Sequence, residues 1–396
     1  MIQISPETQL FIREHSSDDV RTLALQAKKY PDINMPTAIT QIAGRQVAAE
    51  KIPSWREIEE IWYPKHLSLE QCSSEITARY KARLFQGDSL TDLTGGFGID
   101  CSFLATGFKS ATYAERQEEL CEIAAHNFPI LNLNHINVRN ENGVAYLQTM
   151  SPVDCIFLDP ARRNEHGGKT VAISDCEPNV AELEALLLSK ANRVMIKLSP
   201  MLDLSLALKE LKHTQEIHIL SVNNECKELL ILLRQTSPAE IAIHCVNLLT
   251  KGTQEEQHLV FTREQEQRSQ CTYTDSLGNY LYEPNASLLK AGAFRSIAAA
   301  YPVRKLHPNS HLYTSDSFIE NFPGRIFRIV NQCSFNKKEV KENLADLKKA
   351  NVTVRNFPAT VAELRKRLHL TEGGDTYLFA STLNNGQKVI IRCEKV

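Results

Sequence analysis

The chain has 396 residues, of which 42% are hydrophobic and 23% charged, and its formal net charge at pH 7 is −2. These values predict a folded protein of more than one domain with a sizeable core, and they exclude wholesale disorder. The chain does not start with a basic region followed by an apolar run, and no stretch approaches the roughly 20 apolar residues of a membrane span. We therefore expect a cytoplasmic protein without a membrane segment.

The ten cysteines are scattered and include no CxxC pair. This pattern predicts buried free thiols rather than a disulfide framework or a zinc cluster. The twelve histidines are equally dispersed. His307 and His311 have the spacing of a helical metal pair, but Pro308 between them works against a helix. We therefore predict no metal site, and the sequence carries no clear sign of an oligomeric state.

Residues 1–86 predict a helical N-terminal domain. Apolar residues recur there at helix-like intervals, and several prolines divide the segment into short helices. The last predicted helix, residues 68–84, leads almost directly into a glycine-rich turn. It brings Thr77 and Arg79 close to that turn as candidate substrate-binding residues, although an ordinary solvent-facing helix explains both residues equally well.

The stretch SLTDLTGGFGID, residues 89–100, predicts a strand, a tight turn and the start of a helix. The strand ends at Asp92, and the turn contains Gly95, Gly96 and Gly98. Glycines lack the Cβ atoms that would keep a ligand away from the backbone, and the amides at the N-terminus of the helix point toward such a ligand. The stretch therefore predicts a nucleotide-type pocket.

From residue 87 to residue 234, strand and helix patterns alternate, as in a parallel sheet covered on both faces. We predict an α/β fold with a seven-stranded sheet, in which five parallel strands are followed by an antiparallel hairpin. In such sheets ligands bind at the carboxyl ends of the strands. Those ends carry Asp92, Glu115, Asn142 and Asp159.

The same residues restrict the ligand. A phosphate-binding P-loop is excluded because no Lys-Ser or Lys-Thr follows the glycines. A dinucleotide is disfavoured because the third glycine of GxGxxG is missing and Asp100 would repel a pyrophosphate. Acidic residues favour a cation instead, and S-adenosylmethionine carries a sulfonium and an ammonium group but no phosphate.

DLTGGFGID, Glu115, Asn142-Gly143 and LDPAR together resemble the motif series of class I S-adenosylmethionine-dependent methyltransferases, over roughly residues 70–234. The layout is similar to RNA-guanine N2 methyltransferases of the cap-trimethylating type. The whole chain resembles a bacterial group of methyltransferases with a THUMP-like C-terminal domain. The resemblance implies that the glycines hold the methionine part of the cofactor, Glu115 the ribose and Asn142 the adenine. The cofactor-binding residues that we predict are Asp92, Thr94, Gly95, Gly96, Gly98, Asp100, Glu115, Asn142 and Gly143.

Residues 159–162, Asp-Pro-Ala-Arg, occupy the place where amino-methyltransferases carry (D/N/S)PP and an aromatic residue. The Asp159 carboxylate and the Pro160 carbonyl could accept the N–H groups of a base amine and aim its lone pair at the methyl group. Arg162 replaces the aromatic residue, and its guanidinium could stack on a base or bind phosphate. DPAR also resembles the motif of RNA 5-methyluridine methyltransferases. Their cysteine nucleophile is replaced here by Ser199, which disfavours carbon methylation.

Residues 162–177 form a long and cationic connection, which favours a lid over an anionic substrate, with a solvated loop as the alternative. Arg163 and Lys169 are its candidate substrate-binding residues. Lys197 lies within the apolar run VMIKLSP, and we expect it to face the pocket. The predicted catalytic residues are therefore Asp159, Pro160, Arg162 and Lys197.

Residues 235–330 have an α+β pattern that resembles the ferredoxin-like domain of the same bacterial group. Residues 331–396, the THUMP-like part, contain 12 Lys and Arg against 7 Asp and Glu. A basic domain on an acidic body predicts binding of a polyanion, and the THUMP resemblance implies RNA. A solvated charged helix face is the alternative interpretation of this charge.

We therefore predict methylation of a base nitrogen of RNA by direct transfer from S-adenosylmethionine. Two other functions remain open. One is a small-molecule methyltransferase whose additional domains only shape the pocket. The other is a non-catalytic RNA-binding protein in which Ala161 and Arg162 mark a degenerate site.

Overall fold

The computed structural model describes residues 4–162, 172–236, 238–251 and 255–396. The chain divides into two compact units, Met1–Gln215 with Leu230–Ser237, and Glu216–Leu229 with Pro238–Val396. No helix in the described part of the chain combines the length and the apolarity that a bilayer crossing requires.

The first unit begins with short helices, several of which start at a proline. Pro6, Pro36 and Pro53 occupy the first or second helical position, where the missing N–H costs nothing. One core cluster contains Ile52 and Trp55 from this segment together with Phe97 from the glycine turn. The helices are α1 (Pro6–Glu14), α2 (Val20–Leu25), α3 (Met35–Lys51), α4 (Pro53–Arg56), α5 (His66–Gln71) and α6 (Glu75–Leu84), with a 3-10 turn at Ala27–Lys29.

The single helix predicted over residues 68–84 is wrong, because the structure has two helices there. Helix α5 ends at Gln71 and α6 begins at Glu75, with Cys72 and Ser74 in extended conformation between them. Serine hydroxyls compete with the helical hydrogen bonds of the backbone, which favours a break at a Ser-Ser pair. The break directs Ser73 toward a buried acidic residue, as described below.

The α/β part contains five mutually parallel strands, β1 to β4 and β7, as predicted. Helices follow four of these strands directly, and a short antiparallel pair, β5 and β6, lies between β4 and the next helix. The elements are β1 (Gly87–Asp92), α7 (Ile99–Ala105), β2 (Phe108–Glu115), α8 (Glu118–Ile130), β3 (Ile136–Asn140), α9 (Gly143–Thr149), β4 (Val153–Leu158), β5 (Ala161–Arg162), β6 (Cys176–Glu177), α10 (Val180–Lys190), β7 (Ala191–Leu198) and α11 (Leu204–Glu210), with a 3-10 turn at Ile173–Asp175.

The predicted hairpin is present as β8 (Thr214–Val222) and β9 (Glu225–Arg234), which are neighbours in the sheet. Asn223 and Asn224 connect them with φ values of 48° and 69°. Two consecutive left-handed residues are the requirement of a type I′ turn, and asparagine tolerates this conformation better than most residues.

The predicted count of seven strands is wrong, because the sheet has nine strands in the order β11-β10-β8-β9-β7-β4-β1-β2-β3. The additional strands are β10 (Ala242–Leu248) and β11 (Glu256–Thr262). Strand β10 pairs in parallel with β8 along its full length, and β11 pairs antiparallel with β10. Strand β10 pairs with backbone N–H and C=O groups of β8 that would be unpaired at the edge of a seven-stranded sheet.

The rest of the second unit is built on a seven-stranded sheet with the order β13-β14-β12-β15-β18-β17-β16. Two short helices follow Asn285 and are separated at Gly292, which has a φ of 74°. The chain ends in an antiparallel hairpin, and Gly386 in its turn has a φ of 85°. The elements are α12 (Arg263–Arg268), β12 (Tyr280–Pro284), α13 (Ala286–Ala291), α14 (Phe294–Ala300), β13 (Arg304–Lys305), β14 (Tyr313–Ser315), β15 (Gly324–Ser334), α15 (Lys337–Leu344), β16 (Asn351–Arg355), α16 (Val361–Leu368), β17 (Thr376–Thr382) and β18 (Lys388–Lys395).

Candidate active site

The glycine turn lies between β1 and α7 and is attached to the end of β2. The Gly95 amide donates a hydrogen bond to the Ala114 carbonyl, and the Tyr113 hydroxyl donates one to the Gly96 carbonyl. Gly96 has a φ of 55°, and a Cβ on it would meet no heavy atom of the described chain closer than Thr94 O at 3.7 Å. The space beside the backbone of Gly96 is therefore open.

Glu115, at the end of β2, is fixed by backbone amides. Its Oε2 accepts a hydrogen bond from Gly96 N at 2.9 Å, and its Oε1 accepts one from Gln117 N at 2.8 Å. The carboxylate thus lies beside the glycine turn. Each carboxylate oxygen has a second lone pair, so a bound hydroxyl could still be accepted.

Asn142 and Gly143 form the start of α9, at the end of β3. The Asn142 side chain caps the helix by accepting from Val144 N at 3.0 Å and Ala145 N at 3.2 Å. A Cβ on Gly143 would lie 1.9 Å from the Leu93 carbonyl oxygen. Only glycine permits this approach, which holds the exposed Asn142 next to the strand that precedes the glycine turn.

Asp92 and Asp159, at the ends of the neighbouring strands β1 and β4, are linked through Thr94. Thr94 N donates to Asp92 Oδ1 at 2.9 Å, and Asp159 N donates to Thr94 Oγ1 at 2.6 Å. Asp92 Oδ2 is buried without a hydrogen-bond partner among the described residues. The pKa of Asp92 is raised to about 8, mainly by burial and also by the neighbouring carboxylates of Asp100 and Asp159, while the hydrogen bond from the Thr94 amide opposes the shift.

Asp100 lies at the centre of a buried cluster with Ser73, Lys81 and Lys197. Lys81 Nζ is 2.9 Å from Asp100 Oδ1, while Lys197 Nζ is 3.1 Å and Ser73 Oγ 2.7 Å from Oδ2. Although burial opposes ionisation, the two ammonium groups hold the pKa of Asp100 well below its usual value. The sequence predicts Asp100 as an acid that faces the cofactor. In the structure its charge is compensated within the protein.

Lys197 connects this cluster to Asp159, because its Nζ is also 2.6 Å from Asp159 Oδ2. Removal from water raises the pKa of Asp159, and the Lys197 ammonium opposes this shift. The Asp159 side chain is 38% exposed, against 9% for Lys197. Lys197 is thus a buried cation that holds a partly accessible carboxylate.

The other predicted site residues are placed as follows. Pro160 is buried next to Asp159, and Arg162 forms a backbone pair with Cys176 in the β5–β6 ladder. Arg163 and Lys169 lie outside the described residues. Thr77 is buried, and its hydroxyl donates to the Ser74 carbonyl. Arg79 pairs with Glu75 and lies over the Phe103 ring, and in the described part of the chain no hydrogen bond or ion pair links Thr77 or Arg79 to the Asp100 cluster.

Sequence reasoning missed Lys81, which is fully buried and contacts both Ser73 and Asp100. The sequence spacing could have indicated Lys81, because this residue lies one helical turn after Thr77 and therefore shares the face of α6 on which Thr77 lies. The sequence does not predict the helix break at Ser73, and without that break the contact between Lys81 and Ser73 could not be inferred.

The residues present fit S-adenosylmethionine as a cofactor. The open backbone at Gly96 provides a surface for it, the Glu115 carboxylate lies beside that surface, and the unpartnered Asp92 Oδ2 is a polar atom without a counterpart in the described chain. The strand order β3-β2-β1-β4-β7-β9-β8, with a glycine turn after β1, defines a class I methyltransferase fold.

Comparison with known proteins agrees with this class. Two family models match, a ferredoxin-like domain over residues 280–323 and a THUMP domain-like family over residues 324–395. A crystal structure described as a "putative methyltransferase" from Porphyromonas gingivalis W83 is 34% identical, with a TM-score of 0.87 and 100% coverage of both chains. A modification subunit of a "putative type I restriction enzyme" from Vibrio vulnificus YJ016 is 13% identical, with a TM-score of 0.36 and coverage of 51% of this chain and 56% of that chain. No curated protein matches the sequence.

The similarity to the Porphyromonas gingivalis structure extends over the whole chain. The chain therefore belongs to the class I S-adenosylmethionine-dependent methyltransferase family, in the bacterial group with a THUMP-like C-terminal domain.

Proposed function

We propose that this protein transfers a methyl group from S-adenosylmethionine to a base nitrogen of RNA. The observation that carries the proposal is the open backbone at Gly96, beside which the structure fixes Glu115. Three strand ends, those of β1, β2 and β4, contribute acidic residues to the same edge of the sheet. An open turn with acidic neighbours suits a cationic cofactor without phosphate.

The cofactor would supply an electrophilic methyl group on a sulfonium. The turn from Gly95 to Gly98 would hold its methionine part, and Glu115 would accept the ribose hydroxyls. Asn142 would contact the adenine from the start of α9, where its cap hydrogen bonds fix the side chain. Asp100 would influence the cofactor only indirectly, since its side chain contacts Ser73, Lys81 and Lys197.

Asp159 and Pro160 would position the target amine. The Asp159 carboxylate and the Pro160 carbonyl accept N–H groups, which turns the nitrogen lone pair toward the methyl group. Methyl transfer leaves one proton too many on the base nitrogen, and Asp159 would accept that proton. The Lys197 ammonium would favour the ionised form of Asp159 and hold the carboxylate in position, through the contact of 2.6 Å.

The C-terminal residues support RNA as the substrate. Residues 324–395 match the THUMP domain-like family, and residues 331–396 carry an excess of five positive charges. Such an excess favours a polyanion through counterion release, so RNA binding should weaken steeply with salt. A small-molecule methyltransferase would show no such binding.

The cofactor assignment is tested by calorimetry with S-adenosylmethionine. We expect the wild type to bind and Gly96→Ala to bind at least tenfold more weakly, because the methyl group would occupy the open space at the turn. Gly386→Ala is the matched control, since Gly386 also has positive φ and no heavy atom within 4 Å of its Cβ position. Equal affinity of the two variants, or no binding by the wild type, would refute the assignment.

The substrate assignment is tested with total RNA purified from cells that lack the protein. We expect incorporation of labelled methyl groups into this RNA, and a methylated nucleoside that is missing from the untreated RNA. Label that appears only in a small-molecule extract would support the alternative enzyme class instead. Cofactor binding without transfer to either fraction would indicate a degenerate site.

A further inference from the structure

Three histidines and a glutamate lie together on one face of strands β8, β10 and β11, within the second unit. Glu216 and His218 are two residues apart on β8, so their side chains share a face. His244 on β10 is in direct register with His218, and His258 on β11 is diagonal to His244. His244 and His258 are distant from Glu216 and His218 in the sequence, and the sheet brings the two groups together.

We infer that Glu216, His218 and His244 form a binding site for a divalent transition metal, most suitably Zn²⁺. One ligand atom from each residue can be chosen so that all three lie within 4.8 Å of one another. Glu216 Oε2 is 3.4 Å from His218 Nε2 and 3.9 Å from His244 Nε2. Ligands on a tetrahedral zinc ion with bonds of about 2.0–2.1 Å are separated by about 3.4 Å.

His258 supports the site from outside the ligand set. Its Nε2 lies 3.2 Å from His244 Nδ1. A metal-bound histidine commonly donates its second ring N–H to an acceptor, which fixes the tautomer and leaves the other nitrogen for the ion. When Nδ1–H of His244 donates to His258, the Nε2 of His244, on the Glu216 side, is the ligating atom.

The ring arrangement defines the movement that binding requires. The His218 and His244 rings are stacked, with centroids 4.3 Å apart and an angle of 14° between their planes. An ion binds in the plane of an imidazole ring, so the His218 ring must rotate about χ2, a torsion with a broad energy minimum, while the contact with His258 holds the His244 ring. The His218 side chain is 3% exposed, His244 20% and Glu216 34%, which leaves access from the Glu216 side.

The ligand types determine the class of ion. Two imidazoles and one carboxylate suit zinc and similar ions, and hard cations such as Mg²⁺ prefer oxygen alone. Three protein ligands leave a fourth position for water or for another group. Because Glu216 and His218 lie on β8 and His244 on β10, the ion would connect the strand of the predicted hairpin to the first of the two additional strands.

The experiment uses the full-length protein without a polyhistidine tag, freed of metal by chelation. Zn²⁺ is titrated in competition with a chromophoric chelator, and Co²⁺ is used as a spectroscopic probe of coordination. We expect one ion per chain and a visible Co²⁺ spectrum of four-coordinate type. Absence of stoichiometric binding by the wild type would overturn the inference.

Four variants separate a ligand role from a structural one. We expect His244→Ala and Glu216→Gln to abolish binding, and His258→Ala to weaken it by about 10–100-fold. His15→Ala is the control, because His15 also contacts a carboxylate, Asp18 at 2.6 Å, but belongs to no such cluster in the described chain. Glu216→Gln keeps the size of the side chain, so a folded Gln variant that still binds Zn²⁺ like the wild type would overturn the site.

Discussion

Lys81 and Lys197 allow a paired experiment on the candidate active site. Both lysines are buried, and both contact Ser73 and Asp100, but among the contacts above only Lys197 reaches Asp159. We predict that Lys81→Met and Lys197→Met lower stability to a similar extent and that only Lys197→Met changes the pH dependence of methyl transfer.

The size of both effects follows from the contacts. Removing one partner of a buried ion pair costs roughly 3–5 kcal/mol, and each variant retains one lysine beside Asp100, so we expect the lower end, about 3 kcal/mol. An opposite charge within 4–6 Å lowers a carboxyl pKa by about 1–3 units. The Asp159 side chain is 38% exposed, so water screens the pair and weakens the effect of Lys197 on the Asp159 pKa.

The assay measures the rate of methyl transfer to RNA between pH 5 and pH 9, together with the midpoint of thermal unfolding. Because Asp159 must be ionised to accept a proton, its higher pKa in Lys197→Met should move the acidic limb of the rate profile to higher pH. Lys81→Met should leave the limb almost unchanged. If both profiles shift equally, or neither shifts while both proteins are destabilised, Lys197 has only a structural role.

Three further predictions concern stability. The pKa of Asp92 is raised from 3.8 to about 8, so between these pH values the native protein keeps a proton that the unfolded chain loses. The free energy of unfolding therefore falls as the pH rises from about 4 toward 8. The Tm of Asp92→Asn should therefore rise relative to wild type between about pH 4 and pH 8, and a constant difference would contradict it. Gly143→Ala should lower the Tm strongly, because its Cβ would overlap the Leu93 carbonyl. Thr94→Val should cost about 1–3 kcal/mol in chemical denaturation, because the Asp159 amide loses its acceptor.

The parts of the site that the sequence predicts are those set by local chemistry. A glycine turn after a strand, and acidic residues at strand ends, follow from short patterns such as DLTGGFGID, and the structure brings Gly96 and Glu115 into contact. Lys197 was predictable because a lysine in an apolar strand needs a partner.

The parts that the sequence does not predict depend on distant contacts. Ser73 meets Asp100 across 27 residues and Lys197 across 124 residues. No local pattern encodes such pairs, and the helix break that orients Ser73 was hidden by a continuous helical pattern. The sequence also does not predict that the two additional strands join this sheet, since pairing with the open edge of β8 is a property of the sheet and not of residues 242–262.

The pairing of β10 with β8 also limits where the chain can be shortened. A fragment that ends at residue 234 would contain every proposed cofactor contact, yet it would leave β8 with a full row of unpaired amides and carbonyls. Exposed rows of this kind recruit strands from neighbouring molecules and promote aggregation. Expression of the catalytic part alone should therefore include the chain through β11, and the shorter fragment should self-associate.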